Sequence, residues 1–206
     1  MSIKIRKALK SDANFLAQMI LQSSRAGKKF GLFDVIFDAS DDVILESLTK
    51  LSQTDVKSKY HISNFLIAEL DGKMVGSLCS YEPRISTNET FTDALKEIGL
   101  QTDISVELEV LKSCDFELNT RTLMFDCMEE AEGFIDVGVL KTLMQKSLLT
   151  ARLKGYRIAQ TIVEIGALDT ILFYKKLGFN VAQEKECELY REKYGRSGLV
   201  LLSIEF

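Results

Sequence analysis

Apolar positions along the chain follow two periods, and the switches between them mark the elements. Ile3 and Ile5 alternate with polar residues, which predicts a short strand over residues 3–7. Ser11 and Asp12 then open a helix whose Phe15, Leu16, Met19 and Ile20 keep helical spacing. Ser11 suits its N-cap, Asp12 its first turn and Gly27 its stop. A second helix begins near Asp41 and Asp42 and carries Ile44, Leu45, Leu48 and Leu51. Residues 30–38 between the two are apolar and aromatic and read as a loop packed on the domain. Residues 65–70 and 73–78 form a hairpin, because Asp71 and Gly72 both tolerate the positive φ of a two-residue turn. Pro83 ends the second strand.

Residues 84–120 are the least patterned stretch, with a short helix over 91–98 and otherwise scattered apolar positions. They hold too few apolar residues for a core of their own and read as an insertion within one domain spanning 1–206. The last third is the most regular. A strand over 122–128 precedes a helix over 139–154, with Leu140, Leu143, Met144, Leu148 and Ala151 on one stripe and Gly155 at its end. Residues 158–165 make a near-continuous β-rich run, hence a buried strand. A helix over 168–177 ends at Gly178, and 181–191 with 199–206 read as a closing pair of strands.

Composition narrows the function classes. Hydrophobic residues are 46% of the 206, enough for a sizeable core, and the net charge is −4. That balance argues against a nucleic-acid footprint and gives no polybasic contact for a membrane. The N-terminus lacks the apolar centre of a secretory signal, and no apolar run has bilayer length, so a cytoplasmic protein is expected. Cys79, Cys114, Cys127 and Cys187 are far apart and accompany a single histidine, His61, so no metal site is expected. The thiols read as packing residues and His61 as a surface loop residue.

Three segments resemble the GNAT superfamily of N-acetyltransferases. Residues 64–76, with Ala68, Glu69, Asp71, Gly72, Val75 and Gly76, are similar to its second and third strands. Residues 138–155 have the length and apolar stripe of its central helix. Leu172-Phe173-Tyr174-Lys175-Lys176-Leu177-Gly178-Phe179 resembles its most specific signature. The resemblance covers most of the chain outside the insertion. It implies an α/β fold with a mixed, mostly antiparallel central sheet and helices on both faces.

It also implies a chemistry, namely acyl-CoA-dependent transfer of an acetyl group to a primary amine by direct attack. A strand leading into a helix N-terminus offers free backbone N–H groups to an anion. In this family that anion is the pyrophosphate of acetyl-CoA. The resemblance places the co-substrate on the backbone of Met128, Glu129 and Glu130 and on Val137, Gly138, Val139, Leu140, Lys141 and Thr142. Tyr174 matches the general acid, and the base falls among Asp126, Glu129 and Glu130, or to a bound water. Strand alternation puts Glu129 and Glu130 on opposite faces.

The family loop reads Gln/Arg-x-x-Gly-x-Gly/Ala, and here it is Ile135-Asp136-Val137-Gly138-Val139-Leu140. One glycine remains, and the flank holds Asp126, Glu129, Glu130, Glu132 and Asp136 without a lysine or arginine. Two expectations follow. The acidic flank suits a small-molecule or peptide amine of cationic character. The altered loop suits an alternative, a GNAT-fold binding or regulatory module with weak or no catalysis. The final strands offer an edge for pairing in a homodimer.

Overall fold

The computed structural model describes residues 2–101, 103–119, 121–134 and 138–206. Its strands are β1 (Lys4–Lys7), β2 (Phe65–Leu70), β3 (Lys73–Tyr81), β4 (Thr122–Glu130), β5 (Ile158–Glu164), β6 (Asn180–Glu186) and β7 (Gly198–Glu205). Its helices are α1 (Ala13–Arg25), α2 (Leu32–Phe37), α3 (Asp41–Leu51), α4 (Asn88–Glu97), α5 (Ser105–Ser113), α6 (Val139–Leu153), α7 (Leu168–Lys176) and α8 (Glu188–Tyr194). The strands join one sheet in the order β1-β2-β3-β4-β5-β7-β6. Only β4 and β5 run parallel; every other neighbouring pair is antiparallel.

Both sheet faces are covered. One core gathers Leu16 and Ile20 of α1, Phe33 of α2, Ile44 and Leu48 of α3, and Phe65 and Ile67 of β2. Phe91, Ala94 and Leu95 of α4 complete it, so part of the segment read as an insertion belongs to the main core. The opposite core holds Leu78, Phe125, Val139, Leu143, Tyr174, Phe179 and Leu202. A third, smaller cluster of Val110, Cys114, Cys187 and Tyr190 joins α5 to α8. All four cysteines are buried and free.

Three local readings are corrected. Residues 30–38 are not a loop, since Leu32–Phe37 forms α2, a helix too short to show a periodic pattern. Residues 181–191 are not one strand: β6 stops at Glu186 and Glu188–Tyr194 is helical, ended by Gly195 at φ 73°. Ser11 does not cap α1, because residues 10–12 form a 3₁₀ turn. Buried Asp12 instead accepts from the Leu9 amide at 2.8 Å and pairs with Arg6 at 2.6 Å. The hairpin turn at Asp71 and Gly72 has φ of 50° and 78°. No helix among the described residues is long and apolar enough to cross a membrane.

Candidate active site

The site is built on the place where β4 and β5 part. Their pairing runs from Thr122↔Ile158 to Phe125↔Thr161 and stops, although β4 continues to Glu130 and β5 to Glu164. Beyond that point the facing strand edges have no partner in each other, so backbone N–H and C=O groups there can serve a ligand.

A bulge re-aims β4 at the same point. Ser77 pairs with Glu129 and Cys79 with Asp126, so Leu78 alone faces both Cys127 and Met128. Cys127 takes φ of 45°, a left-handed conformation unusual for a side chain with a Cβ. Without the bulge, Asp126 and Glu129 would lie on opposite faces. With it, Asp126 meets Lys59 and Glu129 meets Gln22 of α1, both on the α1 side.

These carboxylates have different chemistry. Asp126 accepts from Lys59 Nζ at 2.8 Å, and that ammonium also lies over the rings of Tyr60 at 4.9 Å and Tyr81 at 5.8 Å. Burial works to raise the Asp126 pKa, but the Lys59 charge outweighs it and holds the carboxyl below its ordinary value. Asp126 is thus fixed as an anion and is a poor proton acceptor. Burial pushes Glu129 up to about 7, with hydrogen bonds from Gln22 and Ser23 only partly opposing it. A carboxylate with that pKa can exchange a proton at neutral pH. Glu130 contributes its backbone carbonyl, which accepts from Gln22 Nε2 at 3.2 Å. Met128 packs partly into the core beneath α6 and α7.

Tyr174 comes to the gap from the other face. Its ring is 3% exposed and stands edge-on to Phe173 and Phe179, with centroids 5.8 and 5.2 Å apart. Its hydroxyl bonds to Thr161, the residue at which β5 leaves β4. Burial raises its pKa well above the ordinary value, so it is a protonated phenol at any physiological pH. Asp126, Glu129 and Cys127 lie within its electrostatic reach.

The entrance to α6 is described from Gly138 onward; Ile135, Asp136 and Val137 lie outside the described residues. Gly138 holds φ of 85° and is exposed. The Thr142 N–H donates to the Gly138 carbonyl at 3.0 Å, so the N–H groups of Val139, Leu140 and Lys141 open the helix, and among the described residues they have no backbone partner. The Thr142 hydroxyl turns to the same carbonyl at 2.8 Å. Val139 is fully buried, Leu140 half-buried and Lys141 exposed, and no acidic residue stands in the first turn. Gly76 makes this seating possible: a Cβ there would lie 2.5 Å from Val139 Cγ1 and 2.8 Å from the Glu129 carbonyl oxygen.

The side of the site facing α1 is partly closed. Lys28, just past α1, pairs with Glu164 at the end of β5 and bonds to the Tyr194 carbonyl at 3.3 Å. Glu164 also accepts from the Tyr190 hydroxyl at 3.0 Å and pairs with Arg196 at 3.3 Å. A cleft of about 390 Å³ lies along α1, lined by Gln18, Leu21, Gln22, Arg25, Lys28 and Leu45. Sequence reasoning missed Gln22, Lys59, Thr161 and Glu164. They sit in unrelated segments, and nothing in local pattern marks them. Among the described residues no cluster of histidine, cysteine or carboxylate side chains is placed to hold a metal.

No protein-family model matches the chain, and no curated protein does. Solved structures do. An acetyltransferase is 17% identical, with 98% of each chain covered and a TM-score of 0.72. A GCN5-related N-acetyltransferase from Kribbella flavida is 16% identical, with 99% of this chain and 98% of that one covered and a TM-score of 0.62. A PaiA N-acetyltransferase from Thermoplasma acidophilum, in complex with coenzyme A, is 16% identical over 100% of both chains with a TM-score of 0.56. The chain therefore has the fold of the GNAT N-acetyltransferases over its full length.

Proposed function

We propose that the chain is an acyl-CoA-dependent N-acyltransferase that moves an acetyl group from acetyl-CoA to a primary amine by direct attack. One juxtaposition carries this reading. The Tyr174 phenol and the Glu129 carboxylate flank the gap between β4 and β5, one approaching from each face of the sheet. The residues present also fit the co-substrate. The amides of Val139, Leu140 and Lys141 at the opening of α6, an exposed Gly138 and a first turn without acid suit a pyrophosphate at the α6 N-terminus. The stretch of β4 at Met128, Glu129 and Glu130, beyond the end of its pairing with β5, suits an amide-bearing chain laid along it.

When bound, acetyl-CoA supplies a thioester carbonyl for attack and a thiolate as leaving group. Glu129 takes one proton from the acceptor ammonium and frees the nitrogen lone pair for the new N–C bond. Tyr174 gives its proton to the sulfur as the C–S bond breaks. It regains one from the nitrogen as the amide forms, so the phenol is restored. Asp126 is held by Lys59 and contributes a fixed charge near the phenol rather than a proton transfer. Because Asp126 and Glu164 are already paired with cations, Glu129 is the carboxylate on this side best placed to meet the acceptor ammonium.

Thermal unfolding with millimolar acetyl-CoA tests the binding half of this reading. Ligand at ~100 times its dissociation constant stabilises by about 2.7 kcal/mol. Tyr174→Phe should keep that shift and lower kcat by about 10²-fold. A shift without transfer to any amine would instead favour the non-catalytic binding module. No shift would sink the acyltransferase and leave the binding or regulatory module.

A further inference from the structure

Gln22 stands in the last turn of α1, and its side chain bridges two elements. Its Nε2 donates to Glu129 Oε2 at 2.7 Å and to the Glu130 carbonyl at 3.2 Å. Both amide hydrogens are thereby spent on β4, and the carbonyl oxygen is the group left to act as an acceptor. The same side chain forms part of the wall of the cleft along α1, beside Gln18, Leu21 and Leu45. No lysine or arginine pairs with Glu129 among the described residues, so its carboxylate has amide and hydroxyl partners rather than a countercharge.

We propose that Gln22 is a positioning residue for the acyl transfer: it fixes the Glu129 carboxylate at the gap between β4 and β5 and turns its own carbonyl oxygen toward the acceptor ammonium entering along α1. The proposal rests on Glu129 acting as the base. A glutamate at a strand end has three rotatable bonds, and a donor from a neighbouring helix selects one orientation. The hydrogen bond favours the charged form, so it also sets how strongly Glu129 holds its proton. The other groups facing Glu129 are Ser23 on α1, Asp126, Cys127 and Glu130 on β4, and Tyr174 on α7. The charged ones are acidic and push its proton affinity upward. Gln22 and Ser23 act in the other direction.

The test is a ¹³C titration of the Glu129 side-chain carboxyl in the wild type, Gln22→Ala and Gln22→Glu, run beside pH profiles of kcat/KM for the amine. Gln22 is exposed, so these variants retain the core. The wild-type midpoint is expected near 7. It should rise by about half to one unit in Gln22→Ala and further in Gln22→Glu, where a carboxylate replaces the donor. The acid limb of kcat/KM should move to higher pH by the same amount. A purely structural glutamine would depress activity equally at all pH values and leave the midpoint alone, and that result would overturn the proposal. Glu129→Gln separates the two levels. Loss of the acid limb in that variant supports Glu129 as base whatever the Gln22 variants show. Its persistence overturns the base assignment, and the inference about Gln22 falls with it.

Discussion

Glu129 shows how one residue can be tuned at the expense of stability. Its pKa moves from the ordinary 4.5 to about 7 because folding removes the carboxylate from water. A group whose folded pKa is raised contributes stability that is fully present below its unfolded pKa, and lost as pH rises through the folded one. The window therefore lies between 4.5 and about 7. Across it, the folded state should lose at most about 3 kcal/mol, less whatever solvent screens. Activity that needs the ionised carboxylate runs the opposite way and rises through the same window. Glu129→Gln should thus raise the midpoint of thermal unfolding by several degrees at pH 8, or about 1–3 kcal/mol, and do little near pH 4. It should also remove the acid limb of the rate profile. Unfolding scans at the two pH values check this, and a lower midpoint at pH 8 would show that the carboxylate is stabilised rather than strained by its site.

The periodic elements were legible in the sequence because burial imposes their spacing. The apolar stripe of α6, the Asp71–Gly72 turn and the β-rich run of β5 each carry their own signal. The bulge in β4 did not. Cys127 and Met128 are ordinary strand residues, and nothing about them announces that two residues will face one across the ladder. Strict alternation would part Asp126 from Glu129, and the bulge brings them to one side. Helix α8 was read as strand because seven residues are too few to display a helical period. Gly76 was legible only as part of a motif, and its physical reason is tertiary: α6 leaves no room for a Cβ above it. Gly76→Ala should cost about 1–3 kcal/mol through overpacking. It should also lift the first turn of α6 off β3. The stabilisation by acetyl-CoA would then shrink by more than the shift in the ligand-free protein. Equal losses with and without ligand would mean that the helix entrance is not part of the co-substrate site.

At the scale of the whole molecule, the side of the site facing α1 is assembled from segments far apart in sequence. Lys28 follows α1, Glu164 ends β5, Tyr190 belongs to α8 and Arg196 precedes β7. Pattern reading could not place these residues together, since no local preference encodes a contact across 136 positions. Their chemistry holds the loop after α1 against α8 through one carboxylate whose side chain is 11% exposed. The α5–α8 cluster extends the same wall, with Lys193 meeting Glu107 at 2.9 Å and the Ser113 hydroxyl 2.9 Å from Cys187 Sγ. Glu164→Gln keeps the shape but leaves Lys28 and Arg196 facing each other without a countercharge. Breaking a buried charge cluster on one side typically costs about 3–5 kcal/mol, and partial solvent access here reduces that to about 2–4. The disturbance should be uneven, because the two main cores do not depend on this carboxylate. Hydrogen exchange should quicken in residues 26–31 and in α8, while α6 and the centre of the sheet stay protected. If the loop after α1 governs entry of the amine, the same variant should change KM for the amine and leave KM for acetyl-CoA near its wild-type value. A uniform rise in exchange across the sheet would instead make Glu164 a general stabiliser of the fold, with no particular bearing on the acceptor side.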